Sequence, residues 1–198
     1  MTAVSALAFA ATLAACGSVP GPMMGSPQDR SSAGAGWMPG PMPFGYTLRG
    51  VACASTPSPP SSGTTVHVVV ADMGMARMMG GVAPLGGHMM LRATPAVVRA
   101  GSVTFLVANM GWRKHEMVVL PLAAGQVAGQ RVPGADGRVS EAGSLGEASA
   151  SCTAGAGDGI ESGAIGWVTL RLAAGHYELV CNLPNHYANG MRQEITVR

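Results

Sequence analysis

A regular alternation of apolar and polar positions begins at Thr64. Val66, Val68 and Val70 recur at every second position with His67 and Val69 between them, which predicts a strand. Similar short runs follow at 89–93, 96–99, 103–109, 116–120, 167–172, 177–181 and 194–197, separated by Gly, Pro and Asn turns. Many short strands in series imply an all-β domain over residues 64–198, a Greek-key β-sandwich. Ala173-Ala174-Gly175 is expected to be a tight turn reversing the penultimate strand pair. Residues 123–166 break the rhythm with a long stretch of Gly, Ala and Ser, uncommon in a compact domain. Two readings stay open for it: a structured excursion with one helical turn over 144–150, or a flap facing a partner.

Upstream of the strands the pattern changes twice. Residues 16–63 are rich in Gly, Pro, Ser and Met without periodicity and read as a semi-extended linker, ordered only locally where Trp37 and Tyr46 supply aromatic groups for docking. Residues 5–15 are apolar but too few to span a bilayer comfortably. They end in Leu13-Ala14-Ala15-Cys16-Gly17, which resembles a bacterial lipobox. That resemblance implies a signal peptide over 1–15 and a lipid on the Cys16 sulfur, tethering the mature chain to the outer face of a membrane. The first basic residue is Arg30, so the usual positive charge ahead of such a run is missing.

Only 11% of residues are charged and the net charge is +2, with no basic run or aromatic-interleaved patch. Nucleic acid is therefore not an expected partner.

The chemistry concentrates in Cys181-Asn182-Leu183-Pro184-Asn185-His186-Tyr187-Ala188-Asn189-Gly190-Met191, where a thiol, an imidazole and a thioether recur at equal spacing. These are ligands suited to copper cycling between Cu(I) and Cu(II), provided a second imidazole arrives from elsewhere. His115 is the obvious supplier. Zinc prefers a full set of Cys, His or carboxylate ligands, and the Met argues against it as the native ion. His67 and His176 have no ligand-like neighbours and read as surface or satisfied side chains.

This loop, preceded by Gly175-His176-Tyr177-Glu178-Leu179, closely resembles the C-terminal ligand loop of the blue copper proteins, the cupredoxins. The four-residue gaps on both sides of the His resemble the branch containing rusticyanins, auracyanins and sulfocyanins. Ala100 to Phe105 and Asn109 to His115 are similar to that family's strand, turn and first ligand. The resemblance implies one type 1 copper per chain, with His115, Cys181 and His186 as strong ligands and Met191 as the long axial one. It also implies single-electron transfer with redox partners such as a cytochrome or an oxidase, by a protein that is not an enzyme and is expected to be monomeric. His186 is the ligand expected to reach the surface. Asn109 is a candidate for tying the two ligand segments together from behind. Asn185 departs from the family, whose loops usually carry Gly before the His; Asn tolerates positive φ better than most residues.

With Cys16 and Cys181 so assigned, Cys53 and Cys152 remain, either as a disulfide in an oxidising compartment or as two free thiols. Met73, Met75, Met78, Met79, His88, Met89 and Met90 form a second group of soft donors. They point either to a Cu(I) acquisition site, making the chain a copper-delivery protein, or to adaptable apolar packing. Arg113, Lys114 and Arg192 flank the ligands and read either as a basic rim that steers an acidic partner or as solvated charges. A fragment of a multicopper enzyme is disfavoured, since the five His include no His-x-His pair.

Overall fold

The computed structural model describes Cys53, residues 62–73 and residues 81–198, with the backbone alone at Met73. The signal peptide, Cys16, nearly all of the linker including residues 37–46, and Met75, Met78 and Met79 lie outside the described residues.

Thr64–Met73 forms β1, and Val66, Val68 and Val70 on its inward phase are fully buried. The chain continues through β2 (His88–Thr94), β3 (Val97–Val98), β4 (Gly101–Asn109), β5 (Met117–Pro121), β6 (Gly146–Ala148), β7 (Ile165–Leu172), β8 (Gly175–Val180) and β9 (Arg192–Val197). One sheet has the order β2-β1-β4-β7 and the other β3-β9-β8-β5-β6. β1 lies parallel to β4, placing Val66 beside Phe105 and Val70 beside Asn109. Successive strands pass from one sheet to the other at β2 to β3, β3 to β4, β4 to β5, β6 to β7 and β7 to β8, as in Greek-key sandwiches. Val66, Val68, Phe105, Val107, Met117, Val119, Leu179 and Ile195 meet between the sheets and exclude water. The expected all-β sandwich is therefore the observed architecture.

Two expectations are corrected. Ala173-Ala174-Gly175 does not close a hairpin, because β7 pairs with β4 and β8 with β5 and β9; the turn carries the chain between sheets. No helical turn forms over 144–150. Gly146–Ala148 is instead strand β6, which pairs antiparallel with β5 through Met117↔Ala148 and Val119↔Gly146.

The long excursion is not a flap. β5 and β8 are buried on both faces, and their outer face presents Val118, Leu120, Glu178 and Val180. Val139 of the excursion and Tyr187 of the ligand loop pack with Val118, Leu120 and Val180 into a second small apolar cluster. A strand apolar on both faces needs a cover on each, and the excursion supplies the second one. It also brings Arg131 to the buried carboxylate of Glu178, with Nε donating to Oε2 over 2.8 Å.

The later part of the excursion holds the opposite flank. Cys152 is joined to Cys53 by a disulfide, with Cα atoms 5.5 Å apart. The backbones of His115 and Ile160 exchange hydrogen bonds in both directions, 3.2 and 2.7 Å long. Among the described residues no helix is long and apolar enough to cross a membrane.

Candidate metal centre

His115 enters from a turn after β4, while Cys181 and His186 enter from the loop after β8. The fold brings these three buried side chains together, with one ligand atom of each within 4.8 Å of the others. Cys181 Sγ lies 3.2 Å from His186 Nδ1 and 3.9 Å from His115 Nδ1, and the two Nδ1 atoms are 3.1 Å apart. Ligand atoms around one ion with bonds of roughly 2.0–2.3 Å are expected about 3–4 Å apart, so the spacing fits a single small metal ion. His115 and Cys181 are fully buried and His186 is 4% exposed, so the ligand expected to reach the surface does so by an edge only.

Local backbone order explains why the loop holds this shape. Cys181 N donates to Met191 O over 3.0 Å and Met191 N donates to His186 O over 3.1 Å, so the three sequence-predicted ligands of the loop lie in one hydrogen-bonded turn. Met191 is fully buried at the end of that turn. Asn185 adopts φ 69°, the left-handed conformation that Gly would otherwise supply. Its Nδ2 donates to Ala83 O over 2.7 Å, and Asn189 Nδ2 donates to Pro84 O over 2.9 Å, which clips the 81–87 segment onto the ligand loop. From the other side, Asn182 Oδ1 accepts from Val139 N over 2.7 Å and Asn185 N donates to Gly137 O over 2.9 Å.

The contacts behind the ligands differ from expectation. Asn109 does not reach the Cys181 loop: its Nδ2 donates to Arg113 O and Ile160 O, and its Oδ1 accepts from Gly111 N, so it shapes the His115 turn. The direct link between the two ligand segments is Glu116 N, which donates to Cys181 Sγ over 3.3 Å. Asp72, not anticipated from the sequence, accepts from His115 Nε2 over 3.1 Å. Its signal was present: Asp72 continues the inward phase of Val66, Val68 and Val70, where an acidic residue needs a partner. Gly111 makes the approach possible, since a Cβ there would collide with Asp72 Oδ1 and sit 2.8 Å from His115 Nε2.

The soft donors outside the loop do not all converge. Met89 is buried while Met90 and His88 are not, because neighbouring strand residues face opposite ways. Lys114 pairs with Glu161 over 2.8 Å, Arg113 Nη1 donates to Gly81 O, and Arg192 Nη1 donates to Tyr187 O. The basic flank is thus engaged within the chain. His176 is exposed and satisfied by Glu194 over 2.8 Å.

Comparisons with known proteins add the following. No family model and no curated protein sequence matches this chain. Among solved structures it is similar to reduced rusticyanin, at 20% identity over 69% of this chain and 81% of that one, with a TM-score of 0.41. It is similar to a rusticyanin from Thiobacillus ferrooxidans at 24% identity, covering 69% and 79% of the two chains with a TM-score of 0.39. Auracyanin B matches at 19% identity over 73% of this chain and 95% of that one, with a TM-score of 0.45. The sandwich follows from the strand pairing of this chain itself.

Burial sets the protonation of the metal-free site. It pushes the Cys181 thiol up to about 12, helped by the nearby Glu116 charge and opposed by amides of Glu116 and Leu183. It pushes His186 down to about 3, with His115 and Arg113 adding to the effect. His115 is lowered as well, by burial first. Both imidazoles are therefore neutral and able to ligate near neutral pH, whereas the thiol must release a proton to bind a metal. Glu116 is raised to about 7 by burial and by Glu147.

These shifts make the stability of the metal-free domain depend on pH. His186 is depressed from 6.5, so its contribution is present above 6.5 and is lost as pH falls through about 3. Glu116 is raised from 4.5, so its contribution is present below 4.5 and is lost as pH rises through about 7. The two slopes oppose each other between 4.5 and 6.5. Urea midpoints of the metal-free domain are expected to fall as pH drops from 4.5 toward 3, where buried His186 resists a proton that the unfolded chain accepts; a midpoint that rises on acidification over that range would contradict this assignment.

Proposed function

We propose that this chain is an extracytoplasmic electron carrier of the cupredoxin type, in which His115, Cys181, His186 and the Met191 thioether would hold one type 1 copper. The observation that carries the reading is the convergence of two neutral imidazole Nδ1 atoms and one buried Sγ at metal-ligand spacing. One soft thiolate with two imidazoles and a thioether at the loop's end favours copper over zinc. Copper bound there would supply one-electron chemistry.

The chain supplies the rest. Burial excludes water from the ligands, and the amides of Glu116 and Leu183 stabilise negative charge on Cys181 Sγ. Strands β4, β5 and β8 hold the ligand segments in one sandwich, so the ligands move little between oxidation states. The 4% exposed edge of His186 gives the electron a way out at the surface. Contact with a cytochrome or oxidase partner is expected to be small and transient. The chain acts as a relay, not an enzyme, and as a monomer.

The Cys53–Cys152 disulfide supports an oxidising compartment. The Leu13-Ala14-Ala15-Cys16-Gly17 sequence supports a lipid tether at Cys16 on the outer face of a bacterial membrane. Copper delivery through the Met-rich group is the weaker reading, since Met89 and Met90 face opposite sides of β2.

The test is to add Cu(II) to the metal-free protein and record visible absorption and EPR. An intense thiolate-to-copper band with narrow copper hyperfine splitting, reversible on reduction, is expected. A colourless adduct that cannot be reduced reversibly would sink the proposal.

A further inference from the structure

Asp72, next to last in β1, has a side chain 1% exposed, and its two oxygens have opposite surroundings. Oδ1 accepts from Trp112 N over 2.7 Å, Arg113 N over 3.0 Å and His115 Nε2 over 3.1 Å. Oδ2 is buried without a hydrogen-bond partner. Two backbone amides are enough to cap the 111–113 turn, and a neutral Asn or Ser could accept them. A buried carboxylate with an idle oxygen is costly unless its charge or its hold on His115 serves a purpose.

We infer that Asp72 is a positioning residue of the metal centre: it fixes His115 as the Nε2–H tautomer, turning the Nδ1 lone pair inward, and its charge favours the oxidised state of the bound metal. The inference rests on the copper reading for its second half only. A carboxylate can only accept, so the proton on His115 must sit on Nε2, leaving Nδ1 free to ligate. Nδ1 is the atom that points at His186 Nδ1 and Cys181 Sγ. The negative charge stands directly behind the imidazole in a buried setting, where little solvent screens it. It stabilises a dipositive ion more than a monopositive one, lowering the tendency to take up an electron. Across the strand pair, Asp72 faces Met89 of β2, which offers no compensating cation. The charged group on the turn side is Arg113, whose Nη1 is directed to Gly81 O.

The first arm uses metal-free, uniformly ¹⁵N-labelled wild-type protein and reads the His115 tautomer from two-bond ¹H–¹⁵N correlations. Nε2–H is expected, and a His115 protonated on Nδ1 would overturn the positioning half whatever metal the protein binds. The second arm equilibrates copper-loaded wild type and Asp72→Asn with a one-electron mediator dye. One electron passes from reduced dye to protein and no proton moves. Asn keeps the size and the acceptor that cap the turn, so the fold should survive, and circular dichroism verifies it. The equilibrium is expected to shift toward reduced protein by about tenfold or more in the variant. A shift of less than about twofold, with the blue spectrum intact, would overturn the charge half. Failure of the wild type to form a blue site at all would instead refute the copper reading and leave the tautomer result standing.

Discussion

Replacing Cys181 by Ser is expected to abolish the intense visible band of the copper-loaded protein and its reversible reduction, while the metal-free fold survives. The reason lies in the chemistry at this one atom. Cys181 Sγ is the sole free thiol among the described residues, is fully buried, and sits 3.3 Å from the Glu116 amide and 3.2 Å from His186 Nδ1. A serine oxygen is smaller, harder and not ionised near neutral pH, so it suits Cu(I) poorly and offers no low-energy charge transfer to Cu(II). The substitution removes little volume, and the Glu116 amide can still donate to the oxygen. Stability of the metal-free variant is therefore expected to fall by only about 1 kcal/mol. Absorption spectra of loaded protein paired with urea unfolding of metal-free protein separate the two effects. A variant that keeps the blue band would mean that another group supplies the thiolate-like ligand.

Glu178→Ala is expected to cost about 3 kcal/mol or more in urea unfolding, although Glu178 touches no proposed ligand. Its fully buried carboxylate accepts from Gly129 N over 2.7 Å, Arg131 Nε over 2.8 Å and Tyr187 Oη over 2.9 Å. Alanine leaves all three donors facing an apolar void, with the guanidinium the most expensive to strand. Arg131 is about one quarter exposed, which reduces the cost from that side. Gln retains an acceptor but not the charge, so Glu178→Gln should lose less than Ala. Because Tyr187 adjoins His186, the Ala variant should also broaden the copper EPR lines as the ligand loop loosens. A loss below about 1 kcal/mol would mean that residues 122–145 only drape over the sheet and do not brace it.

What could be read from the chain ahead of the structure was whatever is local. Cys181, His186 and Met191 share one loop, so their spacing alone places them together, and Asn185 could be judged for positive φ from its position before His186. The strands were legible because Val66, Val68 and Val70 alternate in a way only a pleated ribbon uses. Asp72 was missed because its partner His115 lies 43 positions away, and the inward phase of β1 marks only that an acidic residue there needs a partner, not which one. Asn109 was placed near the right ligand but with the wrong partner, since its bonds depend on where Ile160 returns. The excursion was the largest gap. Its Gly-rich composition reads as loose, yet that composition lets it lie flat against β5 and β8, with Gly137 close enough to Asn185 that a Cβ would collide. Whether a strand is buried on one face or two is a property of what folds back over it.

The disulfide decides what a single cut in the linker can separate. Cys53 lies upstream of β1 and is bonded to Cys152, 99 positions later. A protease that cuts once between residues 54 and 61 therefore opens the chain without parting it. Everything between Cys53 and the cut, and everything upstream of it, stays covalently fastened to the sandwich through sulfur, so parting the upstream segment from the domain takes a cleavage and a reduction together, or a cut ahead of Cys53.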